Sequence, residues 1–585
     1  MTVQLLPDVL ANRARDVPDA LALLVDGGGE LSFRRWEDQS NAFARGLAAH
    51  DVSVRSRLGL LFGNENLDEC AIAYLGALKA GAAVVPLAPS WPRAEQEQAI
   101  AGAGAGTVVY AAGHDHPDLT SPALTFSTIC RGQDVAPYRA PIGPDDLAEV
   151  ICTSGTAGQR REVLATHGNI AADWVEEEAS DQERYFLHAM PPGTNAAQVA
   201  LRGALRWPPT TLVLPDYDPV RLCELIESYG VTSVLLVPAM ALYLIASQCH
   251  RRFDLSCVRT VIVTAAAMPP AAFGRLTEIF PNAALHNAYS CTQSWPARTD
   301  MRYDPRRPGA LGRPLAGGQV RVTGPTGEPL PPGTAGDIWL HAPKGIPPRR
   351  YLREVPNEDM FRDDWARTGD VGHLDTDGYL YLTGRDIDLI NTGGFSVSAL
   401  EVEAVLHEHP AVIEAAVVGF PDEVLGQALG TVVVTTGEVT PARLRGFAAQ
   451  RLPAHKVPAR VAVVSALPRN HAWKVVKGEV RRLLLGRRDG GDQAAGPSPL
   501  PRAGLEAVIA RLWREVLGGQ ARLADDFFQA GGNSLVAMHL IAMIQQETGV
   551  RLTMRDLFDD PTVAGTAAAV ARQRDAGAVS EGVDQ

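Results

Sequence analysis

Residues 147–158 read Leu-Ala-Glu-Val-Ile-Cys-Thr-Ser-Gly-Thr-Ala-Gly, an apolar strand running into a loop of hydroxyls and glycines. Thr153, Ser154, Gly155, Thr156 and Gly158 can turn backbone N–H and side-chain O–H donors toward phosphate oxygens, which makes the loop a phosphate cradle by its chemistry. A second constellation lies at residues 525–535, Asp-Asp-Phe-Phe-Gln-Ala-Gly-Gly-Asn-Ser-Leu. There two glycines expose Ser534 at the start of an amphipathic helix, where the helix dipole favours an incoming phosphodiester. Taken alone, the first motif is as readily an ordinary Ser/Thr/Gly turn, and Ser534 also reads as a simple helix cap.

The elements that must position these loops show in the hydrophobic pattern. Short apolar runs at 58–62, 83–87, 234–237 and 261–263 alternate with helical patterns at 67–78 and 220–229, the signature of parallel α/β sheets. Between Asp304 and Leu382 the texture changes to short strands punctuated by glycine and proline, predicting an antiparallel, barrel-like or ribbon element. A smaller α+β unit follows from about Gly384. Residues 486–501, GRRDGGDQAAGPSPLP, have no apolar period and read as a linker. Beyond it, Leu505, Val508, Ile509, Leu512 and Val516 recur at helical spacing, and a second helix runs from Leu535 to Ile544. The last ten residues read as a frayed tail. The expected class is therefore α/β: a large N-terminal domain of α/β sheets with a barrel-like β element (1–384), a small α+β domain (385–486), a linker (487–501) and a four-helix bundle (502–575).

Composition excludes several classes. The chain has 585 residues, 46% hydrophobic and 21% charged, and is globular. Its 54 basic and 67 acidic residues give a net charge of -13, with no basic stripe for a nucleic-acid backbone. Seven cysteines without a Cys-x-x-Cys pair form neither a disulfide framework nor a zinc knuckle, which predicts a reducing, cytoplasmic setting. The first residues do not read as a secretory signal, and no apolar run reaches the ~20 residues of a membrane span, so neither export by that route nor a membrane span is expected.

Together with residues 287–293 (Asn-Ala-Tyr-Ser-Cys-Thr-Gln), Arg367-Thr-Gly-Asp370, Gly384-Arg385 and residues 467–474 (Leu-Pro-Arg-Asn-His-Ala-Trp-Lys), the hydroxyl-rich loop resembles the adenylate-forming superfamily of acyl-CoA synthetases and nonribosomal peptide synthetase adenylation domains. The likeness covers residues 1 to about 486. It implies a large N-terminal domain, a small mobile C-terminal domain, and two half-reactions in which a carboxylate and ATP give an acyl-adenylate that a thiol then captures. The resemblance puts residues 153–158 on the β- and γ-phosphates, and Tyr289 and Thr292 beside adenine and the α-phosphate. It puts Asp370 on the ribose and Arg385 at the junction with the small domain. Lys474 would reach the α-phosphate and carboxylate oxygens as a point charge. Asn195, in the loop 190–198, and Ala266 fall in the acid pocket. Asn195 alone also reads as a helix-capping residue. The pocket region around loop 190–198 has no Phe-Asp sequence of the kind that pairs with a substrate ammonium, which disfavours an α-amino acid. The segment around Ser534 resembles the carrier-protein signature that receives 4′-phosphopantetheine.

The sequence also departs from the family pattern. Arg161 stands where a lysine is usual, and Arg is not a shape equivalent of Lys. Gln293 replaces the glutamate associated with Mg²⁺, and a neutral amide is a poorer ligand for that cation. Ile387 stands at the hinge, and Trp473 stands where glycine precedes the lysine. The reading implied is a ligase, an adenylation–thiolation didomain of natural-product biosynthesis. It would use ATP, Mg²⁺ and a phosphopantetheine arm on Ser534, with a phosphopantetheinyl transferase and downstream acyl-accepting enzymes as partners. Two alternatives stay open: a degenerate adenylation domain that docks a carrier loaded elsewhere, and a ligase that passes its adenylate to a nitrogen nucleophile.

Overall fold

The computed structural model describes residues 4–111, 117–153, 161–172, 183–206, 208–315, 317–353, 357–385, 388–422, 425–486, 504–517, 527, 534–548, 550 and 552–581. Ser154, Gly155, Thr156 and Gly158 of the phosphate loop, Ile387, the 487–501 linker and residues 528–533 before Ser534 lie outside them. The chain divides into two compact units, Met1–Asp388 with His471–Trp473, and Leu389–Asn470 with Lys474–Gln585.

In the first unit, six strands pair in parallel: Leu21–Val25, Thr210–Val213, Tyr185–His188, Ser233–Leu236, Thr260–Val263 and Ala284–Tyr289, in that spatial order. Parallel strands buried on both faces read as unbroken apolar runs, and every residue of Ser233–Leu236 is buried. The sheet continues through Thr299–Arg302, Ala310–Pro314, Leu380–Arg385, Trp365–Leu374, Gly336–His341 and Gln319–Thr323, each antiparallel to the last. This run takes the ribbon form of the expected β element, and no closed barrel is present among the described residues. Burial alternates residue by residue along most of Trp365–Leu374, the period of a strand with one buried face. At the bulge in Ala310–Pro314, Gly312 has φ +80°, and a Cβ there would lie 1.7 Å from the Asp300 carbonyl oxygen, so only glycine fits.

A smaller sheet runs Arg350–Tyr351, Arg161–Thr166, Leu147–Thr153, Ala83–Leu87, Arg57–Leu61, Thr107–Tyr110 and Ala123–Thr125. Its Leu147–Thr153 and Arg161–Thr166 strands are antiparallel, with Thr153 opposite Arg161. The seven residues joining them include the hydroxyl-rich loop. Helix Leu67–Lys79 is apolar on all faces and almost wholly buried, as an all-round hydrophobic helix must be. Its Tyr74 hydroxyl donates to Glu149 Oε1 at 2.5 Å, and Arg202 Nη1 lies 2.7 Å from the same oxygen. Glu149 and Arg202 are 0% and 1% exposed.

The second unit contains a three-stranded sheet of Val412–Asp422, Gly426–Thr435 and Arg460–Val464 with helices Ala399–His407, Pro441–Ala449 and Lys477–Gly486. Four further helices, Gly504–Leu517, Ser534–Thr548, Met554–Asp559 and Val563–Glu581, enclose a core of Trp513, Phe527, Leu540, Ile544 and Leu557. The expected frayed tail is corrected in part: the last helix continues to Glu581, because its alanine-rich sequence carries high helix propensity. Among the described residues no helix is long and apolar enough to cross a membrane.

Removing one partner of a buried ion pair leaves the other charge without compensation, at about 3–5 kcal/mol. Arg202→Met is therefore expected to lower the denaturant stability of the first unit by that order, measured by intrinsic fluorescence. A variant within about 0.5 kcal/mol of the parent, the range of a neutral surface change, would contradict this role.

Candidate functional site

Strand register creates the first cluster. Trp365–Leu374 and Leu380–Arg385 pair antiparallel with Asp370 opposite Arg385, and Arg385 Nε donates to Asp370 Oδ1 at 3.0 Å. Tyr289, the last residue of its strand, donates its hydroxyl to Asp370 Oδ2 at 2.8 Å. Burial, with the Asp370 charge beside it, pushes the Tyr289 phenol well above its ordinary range, so it remains a donor. A carboxylate accepts at about four lone-pair sites. The two donors orient Asp370 and leave each oxygen able to accept once more, the requirement for holding a vicinal diol.

Gln293 is buried, and its Nε2 donates to the backbone carbonyls of Arg367 (3.1 Å) and Thr368 (3.3 Å). These carbonyls can only accept, which fixes the amide orientation. Gln293 thus holds the strand segment that carries Asp370, and only its Oε1 remains to meet a cation.

A second cluster centres on Arg349, a 1% exposed residue that the sequence motifs do not single out. Its Nη1 donates to Asn195 Oδ1 at 2.7 Å and approaches the Thr292 carbonyl at 3.4 Å. The alternative reading of Asn195 as a cap is corrected: Asn195 is the first residue of helix Asn195–Gly203, and Thr194 caps it by accepting from Ala197 N. Nearby in sequence, Thr153 Oγ1 donates to the Arg161 carbonyl at 3.1 Å, and the Arg161 guanidinium lies 5.7 Å from the centre of the Tyr351 ring. Segment 349–351 therefore serves both the phosphate-loop strands and the Asn195 helix. Ala266 is exposed between strand Thr260–Val263 and helix Pro270–Ile279, next to Ala265 at φ +75°.

His188, two residues before the Met190 loop, is buried and lines a cavity with Gly193 and Gln198. It is the last residue of strand Tyr185–His188, just before the loop 190–198. Gly193 has φ +76°, and a Cβ there would lie 2.5 Å from the Trp91 ring.

Lys474 belongs to the second unit. It closes a hairpin in which Asn470 N donates to the Lys474 carbonyl (2.9 Å) and Lys474 N to Asn470 Oδ1 (3.0 Å). Trp473 has φ +61°, the left-handed conformation for which glycine is suited. Ser534 opens helix Ser534–Thr548.

The model of the AMP-binding enzyme family matches residues 10–347. The chain belongs to the AMP-binding enzymes. The family's C-terminal domain matches residues 401–474, and a phosphopantetheine attachment site matches residues 507–570. This AMP-binding enzyme is an AMP-forming ligase fused to a carrier domain. It is 31% identical over 596 residues to phosphinothricin tripeptide synthetase PhsC of Streptomyces viridochromogenes, covering 97% of this chain and 53% of that one. It is 30% identical over 491 residues to feruloyl-CoA synthase of an Amycolatopsis species, covering 80% and 97%. The chain thus spans about half of the first relative and nearly all of the second. ATP-bound MatB from Rhodopseudomonas palustris superposes with a TM-score of 0.72 at 26% identity, over 82% of this chain and 98% of that one.

Two outcomes are expected of this AMP-binding enzyme. Gln293→Glu sets a carboxylate against two carbonyls and removes their donor, so denaturant stability falls by about 1–3 kcal/mol; an equally stable variant would show that the amide does not hold this strand segment. Burial lowers His188 from 6.5 to about 4. Between those values the unfolded chain binds a proton that the folded chain does not, so this contribution is complete above pH 6.5 and is lost as the pH falls toward 4. His188→Leu should flatten that fall by one proton's slope. His167, also lowered to about 4 by burial, keeps its share. An unchanged slope would place the titration elsewhere.

Proposed function

We propose that this chain activates a small carboxylic acid with ATP and transfers the acyl group to a phosphopantetheine thiol on its own Ser534. The observation that carries the reading is the pairing, in one chain, of the oriented Asp370 carboxylate with a carrier domain. A substrate carboxylate oxygen attacks the α-phosphorus and expels pyrophosphate; the thiolate then attacks the acyl carbonyl and expels AMP. Asp370, oriented by Tyr289 and Arg385, would accept the ribose hydroxyls. Thr153 to Gly158 would donate to the β- and γ-phosphates, with Arg161 as their cation. Thr292 would lie by the α-phosphate, and Asn195 and Ala266 by the acid. Lys474 would offset negative charge at the α-phosphate and the attacking carboxylate.

Among the described residues no group of three or more His, Cys, Asp or Glu is placed to hold a metal. Gln293 offers one neutral oxygen, so Mg²⁺ would come with ATP, held mainly by phosphates and water. The arm, installed by a phosphopantetheinyl transferase, supplies the acceptor thiol. A thiol tethered to the same chain has the advantage of effective concentration over free coenzyme A. The acyl group would then pass to downstream enzymes of a natural-product pathway. The missing carboxylate at 293 favours a second reading, a docking scaffold whose carrier is loaded by another enzyme.

Intact-protein mass spectrometry separates the two. The proposed enzyme takes one arm with a phosphopantetheinyl transferase and then one acyl group on adding ATP and a suitable acid, whereas a scaffold takes the arm and never the acyl group. Ser534→Ala should block the arm. Lys474→Ala should cut adenylate-dependent pyrophosphate exchange at least 10²- to 10³-fold, the scale of losing one transition-state contact, while sparing transfer from preformed acyl-adenylate. Equal loss in both half-reactions would contradict the role given to Lys474.

A further inference from the structure

We infer that the acid activated by this chain carries an uncharged hydroxyl at its far end, held between His188 and Gln198. This rests on the adenylation reading and names the substrate class. The two side chains line a small cavity of about 20 Å³, room for one polar group, walled by Phe62, Leu67, Leu87 and Leu201. They are 1% and 5% exposed. Met190 N donates to His188 Nδ1 at 3.2 Å, so Nδ1 is the bare nitrogen and Nε2 carries the hydrogen. Neither His188 Nε2 nor Gln198 Oε1 has a hydrogen-bond partner, among the described residues. The cavity thus presents one buried donor and one buried acceptor inside an apolar wall, an arrangement that a folded protein leaves open only where something else is to be bound.

Placement links the cavity to the acid. Gln198 lies three residues beyond Asn195 on helix Asn195–Gly203, so the two side chains are neighbours on one helix face. Asn195 is in turn held by Arg349, which also approaches the Thr292 carbonyl.

The chemistry then selects the group. A hydroxyl oxygen accepts from Nε2–H and donates its own hydrogen to Oε1, satisfying both through one atom. A carbonyl satisfies only the histidine, and a methyl satisfies neither. A second carboxylate would face the Gln198 oxygen and an imidazole that burial keeps neutral, its value lowered to about 4. An ammonium would face the Nε2 hydrogen, with no carboxylate among the residues lining the cavity.

The test is ATP–pyrophosphate exchange by the full chain with a broad acid panel built from matched triads. The triads are 3-hydroxypropionate, butyrate and malonate; 4-hydroxybutyrate, valerate and succinate; and 3-hydroxybenzoate, 3-methylbenzoate and isophthalate. Within any triad that supports exchange, the hydroxy acid should exceed both partners in kcat/KM by about tenfold to a hundredfold, the scale at which a site built for a hydroxyl rejects its absence. Gln198→Met, which roughly conserves volume, should erase that ratio mainly through KM, and His188→Phe should do the same. Equal use of hydroxyl and methyl acids, as when the cavity merely holds a water, would overturn the inference. So would preference for the diacid, or a hydroxyl preference that survives both substitutions. Exchange with no acid in the panel would count against the adenylation reading itself, a result distinct from exchange that ignores the hydroxyl.

Discussion

The first unit depends on a charge that cannot stand alone. Glu149 is fully buried in strand Leu147–Thr153, where an ionised carboxylate is tolerable only when paired and hydrogen-bonded. Its partners come from two other elements, Tyr74 on the buried helix Leu67–Lys79 and Arg202 on helix Asn195–Gly203. One end of this network leads in sequence to Thr153 and the phosphate loop, and the other to Asn195 and Gln198. Shifting either helix would leave the Glu149 carboxylate short of a partner, so this network ties strand Leu147–Thr153 to helices Leu67–Lys79 and Asn195–Gly203.

The strand segment carrying Asp370 is held in a related way, by weaker contacts that converge from several sides. Gln293 donates to the carbonyls of Arg367 and Thr368, Arg367 pairs with Asp337 at 2.6 Å, and Thr368 Oγ1 donates to the Ile338 carbonyl at 3.0 Å. A glutamate at 293 would supply no donor to those carbonyls. The departure from the family pattern therefore gives residue 293 a donor that braces the strand segment carrying Asp370, and leaves a neutral amide oxygen where the family has a carboxylate.

Most strands and helices were legible because their apolar periods are local: the runs at 83–87 and 261–263 and the helix beginning at residue 67 lie where the pattern put them, the second strand starting one residue earlier. Asp370, Tyr289 and Arg385 were legible through motifs. Arg349, Tyr351 and His188 were not. Arg349 acquires its role only by meeting Asn195, 154 residues away, and in the run Pro-Pro-Arg-Arg-Tyr it looks like any solvated arginine. His188 ends a strand, and nothing in its neighbours announces that its ring faces a cavity. Thr194 and Asn195 are both good caps by type, so the choice between them was decided by the contact to Arg349.

Backbone strain bears on the choice between an enzyme and a docking scaffold. Among the described residues, seven other than glycine have positive φ. Asp51, Asp363 and Asp364 are of a type that tolerates it, Gln248 is the left-handed cap of helix Pro238–Ser247, and Arg55 lies in the turn before strand Arg57–Leu61. Ala265 and Trp473 have no such excuse of residue type, since each gives up about 1–2 kcal/mol relative to a relaxed backbone. They directly precede Ala266, assigned to the acid pocket, and Lys474, assigned to the chemistry. Strain of this kind persists where surrounding structure over-determines a position, and it gathers at active sites. A chain that only displayed a carrier would have no use for strain at these two places, which adds weight to the enzyme reading independently of Gln293.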